Sequence, residues 1–110
     1  MSDFEITRSG GQTRVTVRGK LTVTEIPVLQ PALKQEISAG VREMIFDLTQ
    51  MSSLDSSGIG LLIAANNSLA TVQGTLRLVN VSPDILKLLQ SMRLVDRLHA
   101  TADEKEMSDG

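Results

Sequence analysis

Two kinds of hydrophobic spacing take turns along this chain, and their alternation constrains the fold more than any single motif. Phe4 and Ile6, then Val15 and Val17, are spaced by two around Ser9-Gly10-Gly11-Gln12, which predicts a hairpin of two short strands closed by Gly19 and Lys20. Ile26, Leu29, Leu33 and Ile37 recur at three and four, one face of a helix, with Gly40 placed to stop it. Pro27 suits a first turn, whereas Pro31 lacks the amide a helix interior uses and predicts an irregular or kinked start. Residues 43–48 are apolar enough for a central strand. Ile59, Leu62, Ile63, Leu69 and Val72 predict a second helix over 59–72 ended by Gly74, and Thr75 to Val79 a fourth strand. Ser82-Pro83-Asp84 combines a capping serine, a first-turn proline and a first-turn acid ahead of Ile85, Leu86, Leu88, Leu89 and Met92, so a third helix starts there. Val95 to His99 predicts a last edge strand.

Strands that alternate with helices after an opening hairpin need crossover connections, hence parallel pairs with helices packed on the sheet. The expected fold is one α/β domain in the order ββαβαβα(β), with a mixed sheet of four to five strands. At 110 residues a single core is the expectation, over residues 1–101, with 102–110 as a polar, acidic, frayed tail.

Composition removes several classes of function. Phe4 and Phe46 are the only aromatics, so there is no stacking platform for single-stranded nucleic acid, and a net charge of −2 gives no electrostatic reason to bind phosphate backbones. With no cysteine and one histidine, His99, disulfides, Cys-based zinc sites, thiol catalysis and a His-rich metal site are excluded. No cofactor is expected. No basic, apolar leader opens the chain and no apolar run nears the ~20 residues that span a bilayer, so no membrane role and a cytoplasmic location are expected.

The chemistry concentrates at the start of the second helix. Ser52, Ser53, Asp55, Ser56 and Ser57 are polar, cap-type residues, with Leu54 among them and Gly58-Ile59-Gly60 following. Any one of Asp55, Ser56 or Ser57 would satisfy the unpaired first-turn amides of a helix, which is the ordinary structural reading. One cap needs only one such residue, however, and five are present. A phosphate on a serine here would meet the same amides and the positive end of the helix dipole. A Ser-His-Asp hydrolase would have to use His99, and no Gly-x-Ser-x-Gly surrounds either serine. Gly58-Ile59-Gly60 lacks the third glycine of a dinucleotide fingerprint and is better explained by close backbone approach.

The run from Ile45 to Gly60, a strand ending Phe46-Asp47-Leu48, a short loop, then Leu54-Asp55-Ser56-Ser57-Gly58-Ile59-Gly60, resembles the signature of the STAS-domain family of bacterial anti-sigma factor antagonists. The resemblance extends to the Val17-Arg18-Gly19-Lys20-Leu21 turn, the strand from Gly74 to Asn80 and the Ser82-Pro83 helix start. It implies a binding protein, not an enzyme. It further implies that an anti-sigma factor with serine kinase activity phosphorylates the serine after the aspartate, Ser56 here, with Ser57 as the second candidate and more suited to the helix cap. The unphosphorylated form would hold the anti-sigma factor and free the sigma factor; phosphorylation would break that complex, and a serine phosphatase would reset it. The implied partner-binding residues are Asp55, Ser56, Ser57, Gly58 and Ile59, with Lys20 and Thr22. At the last two the family commonly carries acids, in Gly-Glu-Leu/Ile-Asp, where this chain has Gly19-Lys20-Leu21-Thr22. Lys20 would then be a counter-charge for a phosphate on Ser56. Two other readings stay open: a STAS scaffold subunit of a transport or sensory complex without a phosphoswitch, and a small hydrolase built on Ser56 and His99.

Overall fold

The computed structural model describes residues 4–104. Strands β1 (Phe4–Ser9) and β2 (Gln12–Val17) form the antiparallel hairpin, with Ser9 opposite Gln12 and Gly10 at φ 63° in the turn between them. A two-residue strand β3 (Lys20–Leu21) follows, then helix α1 (Ile26–Ser38), strand β4 (Glu43–Asp47), a second short strand β5 (Ser53–Leu54), helix α2 (Ser56–Thr71), strand β6 (Thr75–Val79) and helix α3 (Pro83–Ser91). The main sheet runs β1-β2-β4-β6, with β2, β4 and β6 mutually parallel. β3 and β5 make a separate parallel pair, Lys20 opposite Ser53 and Leu21 opposite Leu54. The mixed α/β architecture and the order ββαβαβα of the main elements are as the sequence predicts, with β3 and β5 as additions.

One sheet face carries the core. Val15, Val17, Met44, Phe46, Leu76 and Leu78 are fully buried, alternate along their strands, and cluster with Leu29 and Leu33 of α1 and Leu62 and Leu69 of α2. Each such side chain contributes about 1.5–3 kcal/mol of burial, so the aliphatic core compensates for having a single buried aromatic. Residues of the opposite parity, Arg14 on β2, Ile45 and Asp47 on β4 and Arg77 on β6, share the other face. Ile45 is nonetheless buried, and β4 is apolar on both faces at its centre, as a middle strand should be.

Several local expectations are corrected. α1 runs continuously through Pro31, which lies on an exposed face, and Gly40 ends it at φ 105° with Val41 N–H bonding Glu36 O at 3.2 Å. α2 begins three residues earlier than its apolar spacing indicates, because capping rather than burial sets its start. Its end is made by Gln73 at φ 64°, not by Gly74; Gly74 is required instead because a Cβ there would lie 2.6 Å from the Arg42 carbonyl oxygen. Residues 95–99 form hydrogen-bonded turns rather than a strand, and only Ala100 bridges β6, at Leu78. Of the expected tail, Asn80 N–H bonds Asp103 O and Arg14 donates to Glu104 through both terminal nitrogens, so 102–104 are anchored; 105–110 lie outside the described residues.

Candidate functional site

The site is assembled where β4 ends and α2 begins. Asp47, the last residue of β4, accepts from Thr49 N–H at 3.0 Å, Thr49 Oγ1 at 2.6 Å, Asn80 Nδ2 at 3.1 Å and Arg14 Nη2 at 2.7 Å. Burial acts to raise the Asp47 pKa, but these donors outweigh it and hold the carboxyl well below its ordinary range. The loop leaving the sheet is thereby turned towards the β3–β5 pair, where Ser52 N–H donates to Gly19 O at 2.8 Å.

Asp55, extended at φ −114°, ψ −177°, is the N-cap of α2. Its Oδ1 accepts from Gly58 N–H at 2.9 Å, and its backbone carbonyl accepts the first helical bond from Ile59 N–H at 3.0 Å. Its Oδ2 reaches across to another segment and accepts from Val23 N–H at 3.0 Å. The carboxylate is shifted below its ordinary pKa, chiefly by the Gly58 amide, against the opposing effect of burial, with Val23 adding to the shift. Asp55 thus takes the capping role that the resemblance assigns to Ser57.

With capping done by Asp55, both serines are released from it. Ser56 is exposed at the first helical position; Ser57, at the second, is half-buried. Neither hydroxyl makes a hydrogen bond among the described residues. Gly58 and Ile59 are buried, so they shape the site from beneath and offer no surface themselves. Gly58 is a close-approach residue: a Cβ would lie 2.2 Å from Leu21 O, whereas Gly60 has open space around it.

Thr22 and Lys20 sit on the neighbouring segment. Thr22 begins a tight turn in which its N–H and Oγ1 both donate to Glu25 Oε1, at 2.9 and 2.8 Å, while Thr24 Oγ1 donates to Oε2 at 2.7 Å. Those hydroxyl donors hold Glu25 at a pKa of about 2. The sequence reading missed Glu25 and Val23 as site residues; the Thr-x-x-Glu spacing is a capping-box-like signal that points to the former, and nothing in the sequence points to the latter. Lys20 is exposed and in no ion pair among the described residues. Val23, Ile26 and Pro27 on one side, and Ser57, Gly60 and Leu61 on the other, line an open groove of ≈ 600 Å³ beside Ser56.

His99 is engaged elsewhere. Its Nδ1 lies 2.8 Å from the Leu76 carbonyl oxygen, beside β6, and no contact joins it to Ser56, so the structure assembles no Ser-His pair. No cluster of potential metal ligands occurs among the described residues, nor is any helix there long and apolar enough to cross a membrane.

The fold and this junction define a small α/β domain whose polar chemistry gathers at the start of α2. The STAS domain family model matches residues 3–107, and the chain belongs to that family. It is 29% identical over 97 residues to the anti-sigma-B factor antagonist of Staphylococcus aureus strain NCTC 8325, covering 88% of this chain and 90% of that protein. Among solved structures, the Bacillus cell fate determinant SpoIIAA in its phosphorylated form aligns with a TM-score of 0.77 at 22% identity, over 96% of this chain and 95% of that one. An anti-sigma factor antagonist from Mycobacterium paratuberculosis aligns with a TM-score of 0.77 at 19% identity, over 96% and 87% of the two chains. The Staphylococcus and Mycobacterium relatives are both named as anti-sigma factor antagonists.

Proposed function

We propose that this protein is a cytoplasmic anti-sigma factor antagonist, switched by phosphorylation of Ser56. Unphosphorylated, it binds an anti-sigma factor that is also a serine kinase, and so frees the sigma factor. The kinase transfers the γ-phosphoryl of a nucleoside triphosphate to Ser56 Oγ: an O–P bond forms, the bond to the β-phosphate oxygen breaks, the diphosphate leaves, and the hydroxyl proton passes to a kinase base. A serine phosphatase reverses the state by hydrolysis.

The observation that carries this reading is the division of labour at the helix start. Asp55 supplies the cap, which leaves an exposed Ser56 hydroxyl with no structural task. The first-turn amides and helix dipole favour a phosphate there with α2 itself kept intact. A charge of about −1.5 to −2, placed where a partner had met a neutral hydroxyl, has to be desolvated and breaks the complex. Ser57 is the weaker acceptor because it is half-buried in the groove wall. Lys20 and Thr22, in place of acids, make this rim more positive, so the partner surface facing it is expected to be less basic.

Binding of Ser56→Ala and Ser56→Asp to the anti-sigma factor, measured by calorimetry, tests the switch. Ser56→Ala is expected to bind as the unphosphorylated protein does, and Ser56→Asp at least about tenfold more weakly. Equal affinities would leave a non-switching scaffold as the better account. Lys20→Glu is expected to change affinity for the partner while leaving stability within about 0.5 kcal/mol.

A further inference from the structure

Asp55 does more than cap a helix. Its two carboxylate oxygens serve different segments: Oδ1 holds Gly58 N–H within α2, and Oδ2 holds Val23 N–H in the turn that precedes α1. The Thr22–Glu25 turn is otherwise bonded to itself, through Thr22, Thr24 and Glu25, and to the start of α1 through Glu25 O. The Oδ2 contact is therefore the hydrogen bond that ties the tip of this turn to α2. The Val23 side chain, 60% exposed, forms one lip of the groove whose other wall includes Ser57 and Gly60.

We infer that Asp55 is a positioning residue that relays the phosphorylation state of Ser56 to the Val23 turn, so that phosphorylation remodels the groove as well as charging its rim. This rests on Ser56 being the phosphorylated residue. The coupling is electrostatic and mechanical. A dianionic phosphate on the residue next to Asp55 repels its carboxylate and competes with it for the first-turn amides. One of the two bonds from Asp55 must give. Gly58 N–H belongs to a helix packed on the core, with Gly58 itself against Leu21 O, whereas Val23 lies in an exposed turn. The less constrained partner yields first. Val23 is released, and the groove loses its ordered lip.

The test reads Val23 directly. Phosphoserine is installed at position 56 by genetic encoding, so that no kinase is needed, and amide exchange is followed residue by residue by NMR on the full chain. In the unphosphorylated protein the Val23 amide is expected to be protected and shifted by its carboxylate acceptor. In the phosphoserine protein it is expected to exchange about tenfold faster, while Gly58 and the remainder of α2 change little. Asp55→Asn, unphosphorylated, is the second arm: asparagine still caps α2 through its one carbonyl oxygen but has no second acceptor, so Val23 alone is released. Unchanged Val23 exchange on phosphorylation overturns the relay. That failure is distinct from failure of the switch, which is read in partner affinity of the same phosphoserine protein. Loss of partner binding with Val23 still protected keeps the switch and removes the relay.

Discussion

Gly58 lies so close to Leu21 that a Cβ on the glycine would sit 2.2 Å from the leucine carbonyl oxygen and 2.8 Å from Leu54 Cδ1. The start of α2 is thus pressed directly onto the β3 backbone, which cannot retreat without breaking its pairing with β5. Gly58→Ala is expected to destabilise the protein by about 3 kcal/mol, as overpacking against backbone does. Urea denaturation followed by far-UV circular dichroism checks this, since the chain has neither Trp nor Tyr for fluorescence.

Gly60, two residues on, is the opposite case. It is exposed within α2, and a methyl group added there would meet open space, so Gly60→Ala is expected to gain about 0.5–1 kcal/mol from helix propensity. The same methyl narrows the groove beside Ser56. Affinity for the anti-sigma partner is expected to fall about tenfold while the melting temperature rises. Stability and binding moving in opposite directions would identify the groove as part of the interface; unchanged affinity would exclude Gly60 from it.

α2 and α3 end on non-glycine residues in the left-handed region, Gln73 at φ 64° and Arg93 at φ 60°. Both occupy the position that Gly40 fills after α1, with the same closing bonds, Gly74 N–H to Leu69 O at 2.7 Å and Leu94 N–H to Leu89 O at 2.8 Å. Gln73→Gly and Arg93→Gly are each expected to stabilise by about 0.5 kcal/mol, the relief of left-handed strain exceeding the added unfolded-state entropy. Calorimetric melting temperatures should rise by about 2–4 °C for each. Gly40→Ala should lower it.

Acid should loosen the sheet end that leads into the site. Asp47 has a folded-state pKa depressed below its unfolded value near 4, so its contribution is complete above that value and is lost as pH falls below about 4. Asp47→Asn is expected to cost about 1–3 kcal/mol at pH 7 and to flatten the decline in stability between about pH 5 and pH 3. Urea midpoints at pH 7 and pH 3 for both proteins measure this; parallel declines would mean that Asp47 is not the group responsible.

Most of the scaffold was legible because burial writes a period into a sequence. The strands at Phe4–Ser9, Gln12–Val17 and Thr75–Val79 alternate, Glu43–Asp47 has the unbroken apolar centre of a middle strand, and Leu29 and Leu33 repeat at helical spacing. What escaped has no period. The β3–β5 pair is two residues on each side, too short to alternate. The first turn of α2 is set by a carboxylate, so its serines carry no apolar signature, and assigning the cap among Asp55, Ser56 and Ser57 required the side-chain geometry. Residues 95–99 contain apolar positions that pack as turns, with Leu98 buried, and a strand reading takes that burial for pairing. The Val23–Asp55 bond joins residues 32 apart through a backbone amide, which every residue except proline possesses.

The parallel pairing of β4 with β2 and β6 also has a kinetic meaning. The hairpin is the one pairing between near neighbours; the other three ladders join segments roughly thirty residues apart. On a ribosome, β5 and the start of α2 emerge before β6, the strand that completes one side of the sheet on which α2 packs. A nascent chain therefore carries the Ser56 segment before it owns a finished platform for it. The Ser56 segment can take up its packed position only after synthesis has passed Val79.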